Sequence, residues 1–403
     1  MLPTMPRVMN AGAAELSALL QERVRKAVAE AGGWLPFDRY MAMALYEPGL
    51  GYYARGGAGI FGTLPAGAAS GDTNAQRSER SGSDFVTAPE LSPLFGAALA
   101  RQVAEALRLG RLDEIVEFGA GSGALAAQVL SALHEAGVPV RRYSIVELAG
   151  ALRERQRERL ARFGAQVQWL DAWPADPIEA AVVGNEVLDA MPVKLLHFDG
   201  RDWFERGVAV AGRDVASGEG DGALVFADRP TALRPPLAER ALPGAVLEIH
   251  PQGEAFVATL AGKLARGAAF FIDYGFPEAE YYHPQRHQGT LMCHRAHRSD
   301  TEPLADTGSK DITAHVNFTA IALAAQEAGV EVAGYTTQAR FLVNCGLLGL
   351  LEGADLRTVA AAQKLLAEHE MGELFKVLAF TRGIEVPAEG LLGFREGDRT
   401  HTL

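Results

Sequence analysis

A chain of 403 residues is long enough for one large or two ordinary domains, and 48% hydrophobic residues argue against global disorder. A net charge of −12 argues against a dedicated nucleic-acid binder, which needs a basic face. Two cysteines, Cys293 and Cys345, are too few for a disulfide framework or a thiolate zinc site, and they read as buried thiols in a reducing compartment. No apolar run reaches membrane-spanning length. Met1–Asn10 has no signal pattern, and the amphipathic stretch Ala14–Ala31 carries Glu15, Glu22 and Glu30, which suits a transit peptide poorly. A cytoplasmic location is therefore expected.

Residues 12 to about 54 read as helices. Pro36 opens the one that runs through Tyr40 and Met41. The Gly-, Ala- and Ser-rich stretch 55–83 has no period and reads as a mobile loop. Asp84–Glu90 leads into a helix over Pro93–Leu107. From Arg111 strands and helices alternate: Ile115–Phe118, a helix from Ala124, Tyr143–Glu147, a helix over Ala149–Phe163, Val167–Leu170 and Ala181–Gly184. Such alternation predicts an α/β fold, a mostly parallel Rossmann-like sheet with helices on both faces. After Asn185 the pattern turns β-rich (Lys194–Phe198, Trp203–Val210, Leu224–Phe226). It then returns to Val246–Ile249, a helix over Pro251–Leu264, Ala268–Asp273, a helix over Phe318–Ala328, Val330–Thr336 and a last strand, Phe375–Phe380. The expected organisation is a helical N-terminal region 1–110, a core 111–385 with inserted β elements, and a flexible tail 386–403.

The most informative stretch is Glu117-Phe118-Gly119-Ala120-Gly121-Ser122-Gly123 at the end of the first strand. Glycines allow a tight turn and let a cofactor lie against the backbone. Gly119-x-Gly121-x-x-Ala124 also fits the dinucleotide fingerprint. Glu117 separates the readings. A pyrophosphate over this loop would be repelled by it, whereas S-adenosylmethionine brings a sulfonium and an ammonium. The methyl donor is therefore favoured over NAD, and an oxidoreductase stays as an alternative.

Further strands end in polar residues. Glu147 is placed to accept the hydroxyls of a ribose. Asp171 either accepts from the adenine amino group or caps a turn. Asn185 closes the fourth strand, and Glu186 and Asp189 lie past the cofactor loop, where a methyl acceptor would stand. Paired carboxylates can hold a guanidinium fork and take its proton. Equally, Asp189 can cap a helix and Glu186 can form an ion pair. His283, His287, His294 and His297 sit among arginines and read as a polar loop; with no cysteine pair, no metal is expected.

Asp84–Gly96, Val116–Gly123, Val146-Glu147-Leu148, Gly184–Val193, Glu248-Ile249-His250-Pro251, Phe271–Gly275, Asp311–Phe318, Thr337–Leu342 and Met371–Ala379 together resemble the MidA-type methyltransferases, in family order. The resemblance implies a class I methyltransferase fold, S-adenosyl-L-methionine as cofactor and, by analogy with the characterised branch, a protein arginine as acceptor. A respiratory-complex subunit is then a candidate partner. With the glycine loop and the strand-end acids, it leads to the expectation of Thr87, Glu90, Glu117, Gly119, Gly121, Gly123, Glu147, Asp171 and Asn185 at the cofactor, and of Glu186, Asp189 and Asp273 at the acceptor. A non-catalytic assembly factor with a retained pocket is the alternative. Leu304–Lys310 lacks the proline-glycine pair common in the family, and the 55–83 loop is longer than the family pattern.

Overall fold

The computed structural model describes residues 12–55, 87–212, 222–295 and 298–403. All of the 55–83 loop beyond Arg55 lies outside them, as do Asp84–Val86 and His297. The chain folds into two compact units, each built from three segments. One comprises Met1–Gly57, Ala190–Gln252 and Ala279–Ala314. The other comprises Ala58–Asp189, Gly253–Glu278 and His315–Leu403. The units are thus interleaved along the sequence, unlike the consecutive division at 110 and 385.

The second unit carries the larger sheet. Numbered within it, the strands are β1 (Glu114–Phe118), β2 (Arg142–Val146), β3 (Val167–Leu170), β4 (Ile178–Asn185), β5 (Leu264–Phe276), β6 (Val316–Asn317), β7 (Glu331–Thr337) and β8 (Phe375–Arg382). Their order is β7-β8-β5-β4-β1-β2-β3, with β6 beside β5. β1 to β5 pair in parallel, and β8 runs antiparallel between β5 and β7. From β1 the chain order runs outward one way through β2 and β3, and the other way through β4 and β5. The sheet therefore reverses between β1 and β4, and the crevice at their carboxyl ends is the ligand site of such sheets.

Apolar residues on both faces of β1, β4 and β5 explain why these strands are central. Phe95, Leu99, Val103, Val129 and Leu130 of the flanking helices share one core with Ile115, Tyr143, Ile145 and Val183. The helix Pro93–Gly110 begins where Ser92 Oγ accepts from Leu94 N and proline fills the first position; it ends where Arg111 turns left-handed.

The tail, expected to fray after Pro387, instead packs on the same unit. Gly393 N donates to Gln102 Oε1 (2.7 Å), Leu392 N to Glu105 Oε2 (2.7 Å) and Tyr335 N to Asp398 Oδ1 (2.9 Å).

In the first unit, Leu35–Pro36, Trp203–Val210, Lys194–Phe198 and Ala245–Ile249 form an antiparallel sheet, with Leu224–Pro230 added on Trp203–Val210. Part of the stretch read as a polar histidine loop forms a small sheet of Met292–Arg295, Arg298–Asp300 and Asp311–Thr313. Strands this short and charged leave no alternation to read. The Glu248 of the Glu-Ile-His-Pro match is buried, and its Oε1 accepts from Thr290 N (2.8 Å) and Leu291 N (3.0 Å). Both cysteines are buried and outside any disulfide.

Candidate functional site

The glycine loop leaves β1 with Gly119, Gly121 and Gly123 all at positive φ (65°, 52° and 80°). A Cβ on Gly119 would stand 2.9 Å from Val187 Cγ2, so glycine is required there by conformation and by space. Glu117 is only 2% exposed, and its Oε2 accepts from Tyr143 OH at 2.8 Å. Burial pushes its carboxyl up to about 8; Tyr143 pulls against this and the nearby Glu147 adds to it. The side chain expected in the loop mouth as an open anion is thus sealed beside Tyr143, because it shares a face of β1 with Ile115, opposite Tyr143 on β2.

Glu90 is also engaged. Its Oε1 accepts from Ser122 Oγ and from Arg159 Nη1 (2.6 Å), while Arg159 Nη1 reaches Ser122 Oγ at 2.6 Å. This cluster ties the turn Ala88–Leu91 to the glycine loop. Thr87, buried, caps that turn through its carbonyl, which accepts from Glu90 N and Leu91 N.

Glu147 follows β2 with 8% exposure. Its Oε1 accepts from Ala149 N (2.9 Å) and its Oε2 from Gln156 Nε2 (3.1 Å). Each oxygen keeps acceptor capacity for a further donor. Burial raises its carboxyl, against the Ala149, Gln156 and Arg153 contributions. Asp171, at the end of β3, is exposed. Next to it Trp173 packs on Phe118 (5.0 Å) and Phe256 (5.1 Å).

Beyond β4, Glu186 takes a left-handed φ of 52°, uncommon for a side chain of this kind. Glu186 N donates to Ile272 O (2.9 Å), and Asn185 Nδ2 donates to Glu186 Oε1 (3.2 Å). Asn185 Oδ1 is buried without a hydrogen-bond partner among the described residues. Asp273, 1% exposed on β5, has Oδ2 accepting from Val187 N (3.1 Å), Leu188 N (2.9 Å) and Asp189 N (3.3 Å), and Oδ1 accepting from Tyr274 N (3.0 Å). Burial and the like charges of Asp189 and Glu186 drive its carboxyl well up. Asp273 thus lies behind the 186–189 loop as its anchor, where the sequence reading had it guiding the acceptor.

Sequence reasoning missed Gln156, Tyr143 and Arg159. Gln156 had a signal: with Leu152 and Leu160 it stands at four-residue spacing on the buried face of its helix, an amide in an apolar stripe. Among the described residues there is no cluster of three or more His, Cys, Asp or Glu fit to hold a metal ion.

The strand order, the glycine loop at the reversal and an acid ending the neighbouring strand define a class I methyltransferase fold. The model of a family of S-adenosyl-L-methionine-dependent methyltransferases matches residues 98–336, and the chain belongs to that family. A COG1565 superfamily member from Burkholderia thailandensis, solved with S-adenosyl-homocysteine, is 49% identical, with full coverage of both chains and a TM-score of 0.86. A native structure from the same organism gives 48% identity, full coverage of both chains and a TM-score of 0.83. Among curated proteins, the Drosophila melanogaster protein named protein arginine methyltransferase NDUFAF7 homolog, mitochondrial, is 26% identical over 87% of this chain and 82% of its own length. Its Danio rerio counterpart is 25% identical over 92% and 90%.

The cofactor is S-adenosylmethionine, and the dinucleotide reading falls with these findings. The residues fit it: Asn185 Oδ1 is a buried acceptor awaiting a donor, and Glu147 keeps acceptor capacity for hydroxyls. The expected cytoplasmic location does not stand, because the curated relatives are named as mitochondrial. No described helix is long and apolar enough to cross a membrane.

Proposed function

We propose that this methyltransferase acts on arginine side chains of a partner protein. The observation that carries the reading is the loop bearing Glu186 and Asp189, which Asp273 anchors through the 187–189 amides and which lies against the glycine loop where Val187 meets Gly119. Such an acidic site suits a cation, and a guanidinium matches paired carboxylates. The names of the curated relatives support the same acceptor. A respiratory-complex subunit is the first partner to examine.

When bound, S-adenosylmethionine would supply an electrophilic methyl carbon, with S-adenosylhomocysteine as the leaving group. Gly119, Gly121 and Gly123 bring backbone against its methionine end, with Glu117 and Thr87 behind them. Asn185 Oδ1 would receive an N–H, Glu147 would take the ribose, and Asp171 would serve the adenine end. Glu186 and Asp189 hold the guanidinium, point one nitrogen at the methyl carbon and accept the proton that nitrogen sheds. Asp273 holds the loop that carries them, and Glu90 braces the glycine loop through Ser122.

The test is incubation with methyl-labelled S-adenosylmethionine and a lysate from cells lacking the protein, then hydrolysis of the labelled protein. Methylarginine is the expected product, and Glu186→Gln lowers its yield about 100-fold while S-adenosylhomocysteine still binds. Label on another side chain removes arginine as acceptor. Saturable binding with no label on any protein favours an assembly factor that keeps its pocket.

A further inference from the structure

Gln156 is fully buried at the centre of three elements of the cofactor site. Its Nε2 donates to Gly121 O of the glycine loop (2.9 Å) and to Glu147 Oε2 at the end of β2 (3.1 Å). Its Oε1 accepts from Trp169 Nε1 on β3 (2.9 Å). The chemistry of the three partners fixes the amide's orientation. An indole N–H only donates, whereas a carbonyl and a carboxylate only accept. A flipped amide would set two donors together at Trp169 and acceptor against acceptor at the other two. Trp169 therefore locks the amide, and the locked amide aims one N–H at Glu147 and the other at the loop. Gln156 also packs under the loop: a Cβ on Gly123 would meet its Cγ at 3.4 Å, an ordinary contact.

We infer that Gln156 is a positioning residue that orients the Glu147 carboxylate toward the cofactor's ribose and couples it to the glycine loop. The inference rests on the reading that Glu147 accepts the ribose hydroxyls. Gln156 holds one lone pair of Oε2 and Ala149 N holds one of Oε1, and in this reading the acceptor capacity that remains serves the diol. Without Gln156 the carboxylate is free to rotate, and hydroxyl recognition loses its geometry. A residue that merely filled space would weaken every ligand equally. A positioning residue weakens most the ligand that carries the hydroxyls.

The experiment is a cycle of calorimetric titrations of the full chain with S-adenosylhomocysteine and its 2′-deoxy and 3′-deoxy forms. In the wild type, loss of either hydroxyl should cost about tenfold or more in Kd. In Gln156→Leu, S-adenosylhomocysteine should weaken about tenfold, and the penalty for a missing hydroxyl should shrink to less than about threefold. Trp169→Phe, which leaves Glu147 and the amide in place but removes the lock, should shrink the same penalty partway. It carries the test if Gln156→Leu does not fold. A wild type indifferent to both hydroxyls removes the Glu147 reading itself. A wild type that discriminates, with variants that keep its full penalty, overturns the role of Gln156.

Discussion

Asp273 accepts the amide proton of Leu188 at 2.9 Å, and the same oxygen takes those of Val187 and Asp189. One carboxylate on β5 thereby fixes the turn that follows β4. The turn needs the anchor because Glu186, at its start, sits in a left-handed conformation that costs about 1–3 kcal/mol. Asp273→Ala takes this acceptor from the Val187, Leu188 and Asp189 amides, the last two buried, and each buried amide left unpaired costs about 1–3 kcal/mol. The expected loss is about 3 kcal/mol or more in denaturant unfolding. Asp273→Asn, whose carbonyl can still receive the three, should lose clearly less. Equal losses for the two variants would show that the amides do not depend on this acceptor.

The strand ends were legible because each is a run of apolar residues closed by a polar one, and β3 and the strands Lys194–Phe198 and Trp203–Val210 stand where the sequence sets them. The direction of the acids was not legible. Glu117 and Asp273 belong to strands buried on both faces, so nothing in the local pattern tells which face each side chain takes. Only pairing with β2 sets Glu117 by Tyr143, and only the neighbouring β4 brings amides to Asp273. The interleaving of the two units was equally hidden, since both are built from segments far apart in sequence.

Glu117 makes stability depend on pH in a defined direction. Its folded carboxyl is raised to about 8, above its ordinary value of 4.5, by burial first. Between those values the folded chain keeps a proton that the unfolded chain has lost. Stability therefore falls as pH rises through this window, by up to about 1.4 kcal/mol per unit, and levels off above it. Glu117→Gln removes this contribution while keeping an acceptor for Tyr143. Its melting temperature should match the wild type near pH 4 and exceed it at pH 8 to 9. Parallel curves across the range would mean the carboxyl is ionised throughout.

Gly119 is constrained twice, by a φ of 65° and by Val187 Cγ2 lying 2.9 Å from the place of a Cβ. Gly119→Ala adds about 1–2 kcal/mol of backbone strain and presses the glycine loop against the 186–189 loop. S-adenosylhomocysteine binding should weaken about tenfold or more. Gly123→Ala, whose Cβ meets Gln156 and Leu160 only at ordinary contact distance, bears the strain without the collision and should lose less. Calorimetric affinities ranked the other way would place the tight contact elsewhere in the loop.

The tail is the clearest case of a segment whose sequence hides its fold. Its polar, glycine-containing run reads as unfixed, yet Phe394 is 3% exposed and packs edge-on against Phe341 at 5.5 Å. Gln102 and Glu105, polar residues buried in the helix Pro93–Gly110, have their partners in it: Gly393 N, Leu392 N and Arg395 Nη2. Deleting residues 388–403 would uncover Phe341 and take those donors from Gln102 and Glu105. A loss of about 3–5 kcal/mol is expected from the missing aromatic, with the unmade hydrogen bonds adding to it. Phe394→Ala in the intact chain should reproduce most of that loss, because the ring holds the segment down while its amides satisfy the helix. Unfolding curves of the truncated chain that coincide with those of the intact protein would return the tail to the status of a frayed end.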